Sequence, residues 1–139
     1  MPIPIRMSAE GIDLSPRFFN TATVVASPAD ATEVVVAQLN LTDDLTAVEG
    51  VYLSFWASLT VGTAGVSILT RIRRDSIAGA AIAASGATTA TAAQLVDRAI
   101  EGFDTAPVFP NEVYVVTMTV ASATAASTIS ALEFTALVV

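Results

Sequence analysis

The stretch Val51-Tyr52-Leu53-Ser54-Phe55-Trp56-Ala57-Ser58-Leu59-Thr60-Val61 alternates between two sets of side chains without a break. A period of two is the pattern of a half-buried strand, because successive side chains of a strand point to opposite faces. One face carries Val51, Leu53, Phe55, Ala57, Leu59 and Val61, and is expected to lie against a core. The other carries Tyr52, Ser54, Trp56, Ser58 and Thr60, so two aromatic rings sit on the more polar side.

Working outward, Gly62-Thr63-Ala64-Gly65 has the composition of a hairpin turn and leads to a second strand over 66–76. There Val66, Ile68, Thr70 and Ile72 share one face and Ser67, Leu69, Arg71 and Arg73 the other. Upstream, residues 21–27 and 32–41 are rich in Val and Thr, with a Ser27-Pro28-Ala29-Asp30 turn between them. Residues 41–50 form a polar, acidic loop. Downstream, the Ala-rich run 77–91 favours helix by propensity. Its two glycines, its Thr cluster and its lack of large apolar residues at helical spacing argue instead for a short strand over 77–83 and a loop after it. Residues 93–103 fit either a strand or a short helix, and strand neighbours favour the strand. The span 104–111, with Pro107 and Pro110, is a loop, followed by strands over 112–122 and 128–139. About eight short strands with turn signals every 8 to 12 residues predict an all-β fold: an antiparallel β-sandwich, jelly-roll-like.

Residues 1–20 read as an extended N-terminal arm before a sandwich domain of residues 21–139. Pro2, Pro4 and Pro16 interrupt regular structure, yet Ile3, Ile5, Met7, Ile12, Leu14, Phe18 and Phe19 are too apolar for a solvated tail. The arm packs across its own domain or lies on a neighbouring subunit. No targeting segment or apolar run of membrane-spanning length is evident, so synthesis in the cytoplasm is expected.

The chain has 139 residues, enough for one domain with a sizeable core. It has 13 acidic and 6 basic residues and a formal net charge of -7, and all the basic residues are Arg. An acidic chain is a poor ligand for nucleic acid or an anionic membrane surface. Charged residues make up only 14% of the chain, against about 25% in an average domain. Mean hydropathy is +0.67, so part of the surface is expected to be covered by neighbours.

Most catalytic templates fail on residue type. The chain has no His and no Cys, which removes the Ser-His-Asp triad and ordinary zinc or copper sites. It has no Lys either, so there is no Schiff base and no P-loop lysine. Asp43, Asp44 and Glu49 share a loop, but their spacing matches no EF-hand. Asp97, Glu101, Asp104 and Glu112 could supply a glycosidase pair only if two faced each other across a cleft. No catalytic residue, metal or cofactor is therefore expected. The basic cluster Arg71-Ile72-Arg73-Arg74-Asp75 suits ion pairing to carboxylates, within the fold or across a subunit contact. Arg71 and Arg73 share a face and Arg74 opposes them. Tyr52 and Trp56 suit interface anchors, or cover by the arm.

The segments VYLSFWASLTVGTAGVSILTRIRRDS (51–76), FDTAP (103–107) and VYVVTMTVASATAASTISALEFTALVV (113–139) resemble small β-sandwich proteins of tailed-phage virions. The order of features is most similar to the jelly-roll capsid cement, or decoration, proteins, such as that of a Bordetella phage. The resemblance covers about two thirds of the domain. It implies a structural protein on the outside of a bacteriophage capsid that clamps major capsid proteins together as a homo-oligomer, dimer or trimer. It implies a location on the virion surface and brings no catalytic residues. On this reading the interface residues are Ile3, Ile5, Phe18, Phe19, Tyr52, Trp56, Arg71, Arg73 and Arg74. The alternative is a tail-fibre or receptor-binding β-sandwich recognising a host-surface glycan or protein through Trp56, Tyr52 and loop carboxylates. A carboxylate-dependent hydrolase is a third, weaker possibility.

Overall fold

The computed structural model describes residues 16–28, 32–41, 49–62, 66–91, 94–121 and 127–139. Their regular structure is entirely β: β1 (Arg17–Thr21), β2 (Val34–Leu41), β3 (Val51–Thr60), β4 (Val66–Arg74), β5 (Ala81–Ala84), β6 (Thr88–Ala90), β7 (Leu95–Asp104), β8 (Glu112–Ala121) and β9 (Thr128–Val138). No helix among the described residues is long and apolar enough to cross a membrane.

The strands form two antiparallel sheets. One runs β1-β9-β3-β7 and the other β2-β8-β4-β5, with β6 also on β4. β5 pairs with Arg71–Arg73 and β6 with Val66–Ile68 of the same strand edge. They are therefore two halves of one edge strand. Counted so, the described residues form an eight-stranded jelly roll, with sequence neighbours mostly lying in opposite sheets.

That wiring corrects one sequence expectation. β3 and β4 are not a hairpin: β3 pairs with β7 and β9, whereas β4 pairs with β5, β6 and β8. The chain crosses from one sheet to the other after Thr60. Turn composition cannot distinguish a return within a sheet from a crossing over the core. The expected strand over 21–27 is also absent, since β1 ends at Thr21 and residues 22–28 are irregular. The short strand expected over 77–83 begins only at Ala81, after a turn, and β6 lies where a loop was expected. Residues 17–20, read from sequence as the end of the arm, form most of β1, which pairs with β9. Ile3, Ile5 and the rest of 1–15 lie outside the described residues, as do Asp43 and Asp44.

The core lies between the sheets, where the expected alternation holds. Val51, Leu53, Phe55, Ala57 and Leu59 of β3 meet Ile68 and Ile72 of β4, Tyr114, Val116 and Met118 of β8, and Phe134 of β9, all buried. Phe55 and Phe134 meet edge to face, with centroids 6.3 Å apart, the arrangement that the ring quadrupole favours.

Two polar groups close the sandwich. At the open side, Arg98 of β7 turns inward and is 8% exposed. It donates to Ser85 Oγ and Thr88 Oγ1, and to Gly86 O at 3.1 Å, holding the joint where β5 gives way to β6. At one end, Arg74 ion-pairs with Asp104, and Tyr114 Oη donates to the same carboxylate at 2.8 Å. Gly50, at φ +147, lies against this end, and a Cβ there would come within 2.2 Å of Asp104 O. Only glycine accepts that approach.

Candidate functional site

The outward side chains of β1-β9-β3-β7 can be assigned from pairing register, because residues directly opposite on neighbouring strands share a face. Phe18 of β1 is opposite Leu137 of β9, Leu137 opposite Tyr52 of β3, and Tyr52 opposite Phe103 of β7. Four apolar or aromatic residues thus cross the whole sheet in one row. Tyr52 and Phe103 stack at 4.4 Å between centroids, tilted by 34°. Two residues further along β3, the row is Asn20, Thr135, Ser54 and Glu101. In the third row, Glu133, Trp56 and Ala99 are opposite one another.

Phe18 is 63% exposed, Tyr52 54% and Trp56 42%. Single exposed apolar residues need no explanation, but a contiguous set on one rigid sheet does. The small side chains of the middle row leave two adjoining depressions that share Ser54 and Thr135. One, of about 280 Å³, is lined by Phe18, Tyr52, Leu137 and Glu101. The other, of about 210 Å³, is lined by Trp56 and Glu133. Each sets a carboxylate near an aromatic ring.

Of the interface residues expected from sequence, the structure brings Phe18, Tyr52 and Trp56 onto this face. Phe19 alternates with Phe18 and packs inward against the core. The arginines lie elsewhere. Arg71 and Arg73 are on the outer face of the second sheet, where both meet Glu33. Arg73 Nε donates to Glu33 Oε1 at 2.8 Å and Arg73 Nη2 to Oε2 at 3.1 Å. Arg71 Nη1 lies 3.6 Å from Oε1, and Thr117 Oγ1 donates to it at 2.5 Å. The Arg73 hydrogen bonds are the main reason that the Glu33 carboxyl is held below its ordinary range, against the opposing effect of burial. Arg74 is turned inward to Asp104. The cluster thus forms ion pairs within the fold.

The four carboxylates weighed as a hydrolytic pair divide between two environments. Asp97 and Glu101 are exposed on the outer face of β7, while Asp104 and Glu112 are buried at the sandwich end. Asp104 accepts from Arg74, Tyr114 and the Ala106 N–H. Glu112 accepts from the Val108 N–H at 2.5 Å, and burial pushes its carboxyl above the ordinary range.

Leu137, Phe103 and Glu133 belong to the face but escaped sequence reasoning as members of a site, and Glu101 was weighed there only as a hydrolytic carboxylate. Their facing was readable from alternation. Their adjacency to Tyr52 and Trp56 was not, because it follows from the pairing of strands far apart in the chain.

No family model matches the chain, and no curated protein does. Among solved structures, the fold is similar to a chain of infectious bursal disease virus, Gx strain, at TM-score 0.58 and 11% identity over 99% of this chain. It is also similar to a chain of T=1 particles derived from infectious bursal virus, at 0.57 and 9% over 97%. The globular domain of zebrafish complement 1qA protein is similar at 0.55 and 10%, over 90% of this chain and 98% of that domain. None of these three is a phage cement protein. The chain spans 37% and 36% of the two viral chains. At such identities the likeness shows the fold alone, a jelly-roll β-sandwich.

Proposed function

We propose that this chain is a structural protein of a virion that acts by contact rather than by catalysis. Its place is the outside of a phage capsid, where it cements neighbouring major capsid proteins and associates with copies of itself. The observation that carries this reading is the row Phe18–Leu137–Tyr52–Phe103 with Trp56 below it, an apolar surface presented to solvent on a paired β-sheet. Aromatic residues on a preorganised surface are the usual anchors of protein interfaces, because they bury much area while losing few rotamers. Many copies on one lattice would multiply a modest single affinity. The jelly-roll likeness to viral particle chains supports the setting. So does the commitment of Asp104 and Glu112 to partners within the fold, which leaves no free buried carboxylate pair among the described residues. No cofactor, nucleic acid or membrane is required.

Mass spectrometry and reconstruction of purified particles test the proposal: the chain is expected in hundreds of copies on the shell, and its absence from particles overturns it. A second reading, a tail-associated module that recognises a glycan or protein on the host surface, is favoured by the two shallow, carboxylate-bearing depressions beside Tyr52 and Trp56. Copy number separates the two, since a tail location supplies a few tens at most.

A further inference from the structure

The charges around the exposed rings narrow down what can cover them. The outward described positions of β1-β9-β3-β7 include Glu133, Glu101 and Asp97, and no Arg. The one guanidinium in these four strands besides the buried Arg98 is that of Arg17, which belongs with Phe19 and Thr21 to the other alternate set of β1. The charges that the described residues bring to this aromatic-bearing face are therefore all acidic. A second copy docking face to face through a twofold axis would set the same patch against itself. Carboxylates would then meet carboxylates, which disfavours the pairing.

We propose that this face takes a protein segment bearing Arg or Lys side chains, whose cationic ends stack on the rings while pairing with the carboxylates. In one depression the cation lies against Trp56 and Glu133; in the other it lies against Tyr52 and Glu101. Trp56 and Glu133 are register partners on adjacent strands, so ring and carboxylate are held side by side by the sheet itself. A ring face attracts a cation through its quadrupole, and a neighbouring carboxylate adds a directional ion pair. The two depressions adjoin along the strand direction. Alternate side chains of an extended peptide, roughly 7 Å apart on one side, match that arrangement. Among the described arginines, Arg71, Arg73, Arg74 and Arg98 are engaged elsewhere, and Arg17 belongs to the other alternate set of β1. The inference rests on the contact role proposed above and names the chemistry of its partner.

Trp56 is the only tryptophan of the chain, so its fluorescence reports on the site directly. The full chain is titrated with an N-acetylated, amidated Arg-Ala-Arg tripeptide, with Ala-Ala-Ala and Glu-Ala-Glu counterparts, and with maltohexaose. A saturable change is expected with the basic peptide alone, weakened about fivefold by Glu133→Gln combined with Glu101→Gln, and weakened again in about 0.3 M salt, where screening is stronger. An equal response to the neutral peptide, a response that survives both substitutions, or a response to maltohexaose alone overturns the inference. Rebinding of the variants to stripped particles separates it from the reading on which it rests. If Tyr52→Ser with Trp56→Ser abolishes rebinding while the two Gln substitutions leave it intact, the contact role stands and the cationic partner falls. If neither pair affects rebinding, this face is not the contact and both fall.

Discussion

The outer faces of the two sheets begin from the same alternation and end in opposite states. On β2-β8-β4-β5 the outward residues are closed over by their own chemistry. Glu33, placed just before β2, accepts from Arg73 and Thr117 and lies beside Arg71, and beneath it Val115 and Thr117 of β8 are buried. On β1-β9-β3-β7 no such cover exists among the described residues: Phe18, Tyr52 and Trp56 remain exposed, flanked by Glu101 and Glu133. A mixed-sign network satisfies itself, whereas a single-sign, aromatic surface can be satisfied only from outside. The difference lies less in how apolar the two faces are than in whether cation and carboxylate occur together.

The sharpest test of inside against outside uses neighbours on one strand of the open face. Phe134→Ala removes a fully buried ring and is expected to cost ~3–5 kcal/mol, while Glu133→Ala beside it should stay within about 0.5 kcal/mol. Urea unfolding of both variants measures the contrast, and comparable losses would show that the register assigned to β9 is wrong.

The closed face is tested next by Glu33→Ala, which leaves Arg71, Arg73 and Thr117 without their acceptor. A loss of about 1–3 kcal/mol is expected. The Glu33 carboxyl is held below its ordinary value of 4.5 in the fold. Its contribution is therefore present above that pH and disappears as pH falls through the lowered folded value. Wild type should lose stability over that acid range, and Glu33→Gln should remove this part of the loss. If both have the same acid profile, the network is not what closes the face.

Glu112 carries the opposite sign. Its folded value is raised, chiefly by burial, so ionisation weakens the fold as pH rises above about 4.5 and has no effect where both states are protonated. Glu112→Gln can retain the Val108 N–H bond through its amide oxygen. A gain at pH 7 that vanishes well below pH 4.5 is expected from thermal melts. A loss at both pH values would mean that the carboxylate is required for its geometry rather than tolerated.

A small effect on stability is expected where the functional effect is expected to be largest. Trp56→Ser should move the unfolding free energy by no more than about 1 kcal/mol, because the ring is substantially exposed. A larger loss would show that the ring serves the fold, which would remove the contrast between the two faces.

Much of this was legible before any coordinates. Alternation in residues 51–61 separated Leu53, Phe55 and Leu59, which are buried, from Tyr52 and Trp56, which are exposed. The same period in 66–76 set Arg71 and Arg73 on one side and Arg74 on the other, as their separate carboxylate partners bear out. These features are local, since the direction of a side chain depends only on its place along its own strand. Strand pairing is not local. That β3 leaves Val61 to cross the core, and pairs instead with strands that begin at Leu95 and Thr128, depends on how two sheets bury their apolar faces together. Phe18, Leu137, Tyr52 and Phe103 are distant in sequence and became one row only through that pairing. The sequence by itself determined how side chains alternate along strands such as β3 and β4; the tertiary structure decided which sides meet water and which lie next to one another, because a surface is built from strand neighbours rather than from sequence neighbours.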